Sequence, residues 1–248
     1  MTPAPFGSPP PDTRLPRYHR VREALSAQIA AHQWQPEEPI PTEAELAQVH
    51  GVSIGTVRKA VDSLVAAGVL ARFQGRGTFV RRPDFQSSLF RFFRFLDANG
   101  AFRRPASRIL KREEVAMPGA VAAALKQTPG APAIRFHRLR LLDERPLLVE
   151  DIWLPKDRFK ALLKIELSEF GDLLYPFYEQ HCGVLVASAQ ETLTAEAAGA
   201  RHARLLELEP GAPLIVIERV ALGADRQPLE WRQSRGPAGQ FRYQVEIR

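Results

Sequence analysis

The chain has 248 residues, of which 45% are hydrophobic and 25% are charged, a composition typical of a folded protein with a sizeable core. A single cysteine excludes an intramolecular disulfide framework and fits a reducing compartment. No apolar run has the length of a transmembrane helix, and the start of the sequence lacks the pattern of a secretory signal. We therefore expect a cytoplasmic protein of one or two domains, with residues 1–13 forming a Pro-rich disordered arm.

Basic residues are concentrated in one part of the chain. The net charge is +6, and residues 53–82 contain six Lys and Arg but only one acidic residue, Asp62, so this segment alone carries +5. Such a local excess suits phosphate groups and indicates a nucleic-acid partner. On charge alone, a merely solvated basic face remains the alternative.

Two helices are predicted before residue 51. Val21, Leu25 and Ile29 recur at helical spacing and predict a first helix from Arg17 to about His32. The run "TEAE" from Thr42 is a capping box that begins a second, short helix. We expect this helix to turn Leu46 and Val49 inward and to end near His50, with Gly51 as its left-handed terminating residue.

The next residues, "GVSIG", match the G-x-S-x-G turn that exposes the nucleophilic serine of α/β-hydrolases. That turn requires a buried β-strand immediately before the serine, whereas a capped amphipathic helix precedes Ser53 here. We therefore interpret Ser53 as the N-cap of a third helix. Its buried stripe is Val57, Ala60, Val61 and Leu64, and Gly68 ends it.

A helix, a glycine-containing turn and a second helix form a helix-turn-helix arrangement, whose second helix reads DNA with its N-terminal end. Its outward side chains are Ser53, Gly55, Thr56, Arg58 and Lys59. The following "LARFQGRGTFV" contains two β-prone runs and predicts a hairpin wing with Arg76 exposed at its tip.

Together, "IPTEAELAQVHGVSIGTVRKAVDSLVAAGVLARFQGRGTFV" resembles the winged helix-turn-helix domain of GntR-type transcriptional regulators. The resemblance implies a DNA-binding domain over residues 14–82. It implies that Ser53, Thr56 and Arg58 meet phosphates and bases, and that Gln74, Gly75 and Arg76 of the wing reach the minor groove. Ala44 and Ile54 stand where many members carry arginine, which should change the bases that are read.

Residues 83–89 are predicted to be a polar linker. In the following "LFRFFRFLDANG", Phe90, Phe93 and Leu96 share one helical face that is expected to be core. Farther on, "PGAPAIRFHRLRLLDERPLLVEDIWLP" is echoed by "PGAPLIVIERVALGADRQPLEWRQSRGP", and each follows a predicted helix, the second capped by Thr194. Two copies of one unit predict an α+β fold with a mostly antiparallel, pseudo-twofold sheet.

This arrangement resembles the UTRA effector domain, whose fold is similar to chorismate lyase. The resemblance spans residues 90–248 and places the chain in the HutC-like branch of the GntR regulators. It also implies a pocket for a small-molecule effector, which the residues matching Arg138, Arg140 and Glu150 line in related domains.

Arg138 and Arg140 lie two apart on a predicted strand, so they share a face and can hold a carboxylate or phosphate together. Glu150 either pairs with them or accepts a ligand hydroxyl or amine. The alternative is that these charges only pair with one another across an exposed face. Further candidates for the pocket are Tyr175, Glu230, Arg232 and Arg235.

Phosphosugar-binding relatives carry a serine-x-tyrosine pattern where this chain has Leu173 and Tyr175. The lost hydroxyl favours a small carboxylate or another anionic metabolite over a phosphosugar. Six scattered histidines and one cysteine show no ligand spacing, so no metal or cofactor is expected.

Two functional classes remain for the whole chain. The first is a metabolite-responsive transcriptional repressor that acts as a homodimer on a palindromic operator in double-stranded DNA. The second is a chorismate-lyase-like enzyme acting on a small carboxylate. The basic winged helix favours the first class, because a free-standing lyase has no use for it.

Overall fold

The computed structural model describes residues 16–31, 33–34, 38–81 and 105–241. The chain divides into two compact units, Met1–Arg81 and Arg82–Arg248. The predicted arm, the linker and the helix with Phe90, Phe93 and Leu96 lie outside the described residues. Within the described ranges, every helix is too short or too polar to cross a membrane.

The first unit contains three helices and a hairpin: α1 (Arg17–Ala30), α2 (Glu43–His50), α3 (Ile54–Ala66), β1 (Leu70–Phe73) and β2 (Gly77–Val80). Its core joins the predicted stripes of α1 and α3, which are Val21, Leu25, Ile29, Val57, Ala60, Val61 and Leu64. The predicted order of a helix-turn-helix followed by a wing is therefore confirmed.

The capping box of α2 is present as predicted. The Glu45 amide donates to Thr42 Oγ1 at 3.3 Å, the Thr42 amide donates to Glu45 Oε2 at 2.7 Å, and Gly51 is left-handed with φ 60°. The expectation for Val49 is wrong, because its side chain is 73% exposed. The side of α2 that faces the core carries Leu46 and Ala47, and Val49 points well away from that side.

The wing is an antiparallel hairpin in which Leu70 pairs with Val80. The chain before α2 lies against it, since the Ile40 amide donates to the carbonyl of Thr78 at 2.7 Å. At Gly77, with φ 115°, a Cβ would lie only 3.0 Å from Pro39. Glycine thus permits this close approach, which fixes the wing to the helical part of the unit.

The second unit is a six-stranded sheet in the order β3-β4-β5-β8-β7-β6, with every pairing antiparallel. Its strands are β3 (Ala106–Ala116), β4 (Pro132–Leu142), β5 (Arg145–Pro155), β6 (Ser188–Ala197), β7 (Pro213–Leu222) and β8 (Pro228–Pro237). Its helices are α4 (Gly119–Ala124), α5 (Lys156–Phe159), α6 (Leu174–Cys182) and α7 (Ala200–Leu206), with short 3-10 turns at Lys160–Lys164, Leu167–Glu169 and Ala238–Gln240.

The internal echo corresponds to a repeated β-α-β-β unit, β3-α4-β4-β5 and β6-α7-β7-β8. The Met117 amide donates to the Ala131 carbonyl in the first copy, and the Ala198 amide to the Ala212 carbonyl in the second. The copies meet where β5 pairs with β8 and Trp153 lies opposite Trp231. The pseudo-twofold sheet is confirmed, and the repeat also includes the first strand of each copy.

The expectation that Thr194 caps the second helix is wrong. Thr194 lies within β6, paired with Val216, and α7 begins at Ala200 with Gly199 as its N-cap residue. The run from Thr194 to Ala197 extends the edge strand instead. Its alanines made it resemble the start of a helix, but pairing with β7 determines its conformation.

The two faces of the sheet are covered differently. Helices α4 and α7 pack on one face, against Ala133 and Trp153 and against Leu139 and Val149 respectively. On the other face α5 and α6 cover the apolar residues Ile134, Phe136, Ile152 and Leu154. Charged side chains continue this second face beyond the apolar part, and most of them are buried.

Candidate functional site

The N-terminal end of α3 presents the residues expected to contact DNA. Ser53 is the N-cap, since the Thr56 amide donates to its Oγ at 3.2 Å and Thr56 Oγ1 lies 2.9 Å from it. Ser53 and Gly55 are exposed, and Thr56 is partly exposed. Because a helix and a turn precede Ser53, it lacks the strand of a hydrolase elbow.

Arg58 is held by a network that the sequence did not reveal. Its Nε donates to Glu43 Oε2 at 2.8 Å, although 61% of the Arg58 side chain remains exposed. Glu43 Oε1 also accepts from Arg72 Nη2 at 2.9 Å, and Arg72 Nη1 lies 2.9 Å from Asp62 Oδ1. These ion pairs connect α2, α3 and β1, and they orient the Arg58 side chain.

Lys59 and Arg76 both contact aromatic rings. The Lys59 ammonium lies 4.2 Å from the ring centroid of Tyr18, a cation–π distance. At the wing tip, the guanidinium carbon of Arg76 lies 5.9 Å from the ring centroid of Phe73 and 6.0 Å from that of Phe79. These two rings pack edge to face, with their centroids 5.5 Å apart. The exposed Arg76 side chain therefore packs on an apolar surface.

Gln74, Gly75 and Arg76 form the turn between β1 and β2, and all three are exposed. Gly75 has φ 72°, a left-handed conformation that glycine adopts without strain. The structure therefore brings the wing residues together at one tip, as the sequence predicted. The tip projects from the same unit that carries α3.

The second candidate site is a set of buried polar side chains on the sheet face that α6 covers. All are 3% exposed or less: Arg138, Arg140, Glu150, Arg219, Glu230, Arg232 and Ser234. Arg138 Nε donates to Glu150 Oε2 at 2.5 Å, and Ser234 Oγ donates to Glu150 Oε1 at 3.1 Å. The charges therefore pair with one another, but in the interior and not across an exposed face.

Glu230 is the second acidic centre of this cluster. It accepts from Tyr178 Oη at 2.7 Å, from Tyr175 Oη at 3.1 Å and from Arg232 Nη2 at 2.8 Å. The guanidinium of Arg232 also lies 5.3 Å from the Tyr175 ring centroid. The pKa of Tyr178 is raised well above its usual value, mainly by burial and secondly by the charge of Glu230. Its hydroxyl therefore remains a donor.

Arg140 is hydrogen-bonded to the backbone at two points. Its Nη1 donates to the Asp172 carbonyl at 2.8 Å and its Nη2 to the Pro105 carbonyl at 3.0 Å. Burial and the neighbouring charge of Arg138 lower the pKa of Arg140 to about 10, which still leaves it charged at neutral pH. Arg140 thus connects β4 to the two segments that flank the cluster.

Burial alone would raise the pKa of Glu150, but Arg138, Arg232 and Arg140 together outweigh it and hold the pKa well below its usual value. Two donors nevertheless stay unsatisfied. Arg138 Nη1 and Arg232 Nε are buried and have no hydrogen-bond partner among the described residues. Unsatisfied guanidinium donors are costly in a protein interior, and an anionic group is the kind of partner that such donors bind most strongly.

Several residues of the cluster were missed or only partly anticipated. Arg219 was visible in the echo as the counterpart of Arg138, and it donates to Glu191 Oε1 at 2.6 Å. Arg232 was among the candidates, whereas Ser234 was missed, although Ser234 alternates with Arg232 and Glu230 along β8 and period-2 spacing could have assigned it to the same face. Arg235 does not join the cluster, because it points to the opposite face and donates to Glu196 at 2.6 Å.

The sequence predicted no metal site, because its histidines and its cysteine lack the spacing of metal ligands. Within the described ranges, no three His, Cys, Asp or Glu side chains are grouped so that they could hold a metal ion. Cys182 is a partly buried free thiol, and burial raises its pKa.

Comparison with known proteins identifies both units. The family model for bacterial regulatory proteins of the gntR family matches residues 17–80, and the UTRA domain model matches residues 101–242. The ligand-binding domain of a protein assigned to the GntR-family transcriptional regulators of Bordetella bronchiseptica is similar to this chain, with a TM-score of 0.55 and 30% identity. That likeness covers 58% of this chain and 92% of that domain.

Two curated relatives span both units. The chain is 30% identical over 206 residues to the HTH-type transcriptional repressor NagR of Bacillus subtilis. The aligned region covers 83% of this chain and 84% of NagR. It is 28% identical over 218 residues to the histidine utilization repressor of Pseudomonas aeruginosa, an alignment that covers 87% of this chain and 85% of that repressor. With a winged helix-turn-helix followed by an antiparallel effector domain, the chain belongs to the GntR family of bacterial transcriptional regulators, in the branch that carries a UTRA domain.

Proposed function

We propose that this regulator is a homodimeric repressor that binds a palindromic operator and releases it when a small anionic metabolite enters the second unit. Its relatives are repressors, and GntR regulators bind DNA and small-molecule effectors. The observation that carries the effector proposal is the pair of buried, unsatisfied donors on Arg138 and Arg232.

On the DNA side, α3 enters the major groove with Ser53, Gly55 and Thr56 at its leading end. Arg58 and Lys59, one turn farther along, contact bases and phosphates. The wing places Gln74, Gly75 and Arg76 in the neighbouring minor groove. This assignment is supported by exposure of the tip and helix end, and by the +5 charge of residues 53–82.

The homodimer follows from the geometry of helix-turn-helix readers. Two copies related by a twofold axis place their α3 helices on half-sites about one helical turn apart, which is why such operators are palindromic. A cytoplasmic location accompanies this proposal, because the operator lies there. Light scattering of the protein alone and with operator tests the stoichiometry.

The effector is a small carboxylate or another anionic metabolite. Arg138 and Arg232 supply the unsatisfied donors, whereas Glu150 and Glu230 hold their guanidinium groups in place. Arg140 belongs to the same cluster, Tyr175 contacts it through Glu230, and both complete the proposed pocket. A ligand can shift operator affinity only if it binds one conformation better than another, so the effector should favour the state that releases DNA.

The effector proposal is tested by thermal unfolding with succinate, inorganic phosphate and glycerol 3-phosphate, with glycerol as the neutral probe. We expect at least one anion to raise the unfolding temperature and to release operator in a mobility-shift titration. Arg138→Gln should remove both effects. An equal shift with glycerol, or no shift with any anion, would contradict an anionic pocket.

The chorismate-lyase-like alternative is tested in the same samples. A regulator returns its effector unchanged, whereas a lyase converts it. We expect the active anion to be recovered intact after incubation with the protein, as measured by NMR of the filtrate. Catalytic loss of the anion would favour the enzyme.

A further inference from the structure

Ile54 is the first residue of α3, and its side chain is 47% exposed. The aliphatic side chains of the stripe that follows, Val57, Ala60, Val61 and Leu64, are all buried. Ile54 is also four residues before Arg58, so these two side chains lie on the same side of the helix. A branched apolar side chain therefore stands at the leading end of the helix that faces DNA.

The neighbouring Gly55 indicates that another molecule comes close at this point. A Cβ added at Gly55 would meet only Ser53 Oγ, at 4.0 Å, so internal packing does not require glycine here. Glycine destabilises a helix relative to alanine, yet it is present in the first turn. Glycine is common where a backbone approaches a ligand closely, and the groove of a duplex is such a ligand.

An exposed isoleucine cannot satisfy a phosphate, but it can contact an apolar group. The major groove offers one, the C5-methyl group of thymine, which distinguishes A·T pairs from the others. We infer that Ile54 recognises a thymine methyl group in each operator half-site and thereby sets the base preference at one position. This inference rests on the proposal that α3 reads the major groove.

Deoxyuridine isolates the methyl group, because it keeps every hydrogen bond of thymine and lacks only that methyl. In a selected operator, each thymine of one half-site is replaced singly by deoxyuridine and affinity is measured at fixed salt. We expect one replacement to weaken binding about fourfold, which corresponds to about 0.8 kcal/mol for one buried methyl group.

Protein variants complete a double-mutant cycle. Ile54→Ala should bind the unmodified operator more weakly and should be indifferent to deoxyuridine at the sensitive position, whereas Ile54→Val should keep part of the sensitivity. Val49→Ala removes a more exposed apolar side chain outside α3 and is the matched control. It should reproduce the deoxyuridine profile of the unmodified protein.

The outcomes separate this inference from the proposal beneath it. If Arg58→Ala weakens operator binding but no deoxyuridine replacement does, α3 reads DNA and the role of Ile54 is wrong. If Ile54→Ala keeps the deoxyuridine sensitivity, another residue contacts the methyl group and the inference is again wrong. If neither Arg58→Ala nor Ile54→Ala changes the affinity, the assignment of α3 itself is overturned.

Discussion

Glu43, at the start of α2, accepts a hydrogen bond from Arg58 Nε at 2.8 Å, so an acidic residue of the first helix of the motif orients a basic residue of the second. Arg72 binds the other oxygen of the same carboxylate. Glu43 therefore connects the two helices and the wing, while 61% of the Arg58 side chain stays exposed. Such prior orientation lowers the entropy that binding must otherwise supply.

Arg58→Ala should weaken operator binding by about 1–3 kcal/mol if the side chain contacts a base edge. Glu43→Gln should weaken discrimination between operator and random duplex, because Arg58 would lose its fixed orientation. In the Arg58→Ala background the second change should have little further effect. Fluorescence anisotropy at one salt concentration measures all four proteins, and additive losses would show that Glu43 acts independently of Arg58.

Arg76→Ala should weaken binding to operator and to unrelated duplex alike, because the wing supplies charge at the backbone and minor groove. The slope of log affinity against log salt should fall in magnitude by about one. Arg145→Ala, at the exposed first residue of β5 in the second unit, is the control for loss of charge alone. An unchanged slope for Arg76→Ala would remove the wing tip from the DNA interface.

Tyr178→Phe should destabilise the second unit by about 1–3 kcal/mol, since Glu230 would lose the 2.7 Å bond from a fully buried hydroxyl. The phenylalanine ring at this position would still pack against Phe159, so the loss reports the hydrogen bond. Urea unfolding followed by circular dichroism measures it. Tyr18→Phe, in the first unit, should be nearly neutral, and an equal loss there would contradict the stated cause.

Acid should destabilise the second unit through Glu150. Its folded pKa lies well below the unfolded value of about 4.3, so its contribution to stability is present above that value and is lost as pH falls below it. The loss is complete only below the folded pKa, so urea unfolding between pH 6 and pH 3.5 should show its beginning. Glu150→Gln should flatten the pH dependence and cost about 3–5 kcal/mol at neutral pH, because Arg138 would lose its buried partner.

The control for that experiment is Glu196→Gln, which removes the partner of Arg235 at a half-exposed position. Its cost at neutral pH should be small, about 1 kcal/mol or less. If Glu150→Gln fails to fold, Ser234→Ala removes only the 3.1 Å bond to Glu150 and should reduce the acid sensitivity in part. If the free energy of unfolding depends on pH identically in all variants, Glu150 does not cause the loss of stability at low pH.

Sequence reasoning works best here where local chemistry decides the structure. The capping box at Thr42, the Ser53 cap and the buried stripe of α3 depend on neighbours within a few residues, and all are present. It fails at Val49 and Thr194, because the inward face of a short helix and the extent of an edge strand depend on elements distant in sequence. Helical spacing from Leu46 alone could not locate the α2 interface.

The candidate sites show the same division. Period-2 spacing placed Arg138 and Arg140 on one face, and the echo indicated Arg219 as the counterpart of Arg138. The sequence could not show that Arg140 binds two backbone carbonyls or that Glu43 orients Arg58, because these contacts join residues far apart in the chain. They depend on the packing of α2 on α3 and on the position of Pro105 and Asp172 beside β4.

The most direct measurement selects random double-stranded DNA with the purified protein and then titrates the recovered sequence with the protein and with Arg58→Ala. A dimeric regulator that reads DNA with α3 predicts a short palindrome, with half-sites about one helical turn apart and clearly weaker binding by Arg58→Ala. Recovery of no sequence above a salt-sensitive background, with equal affinity for both proteins, would contradict operator recognition by this helix.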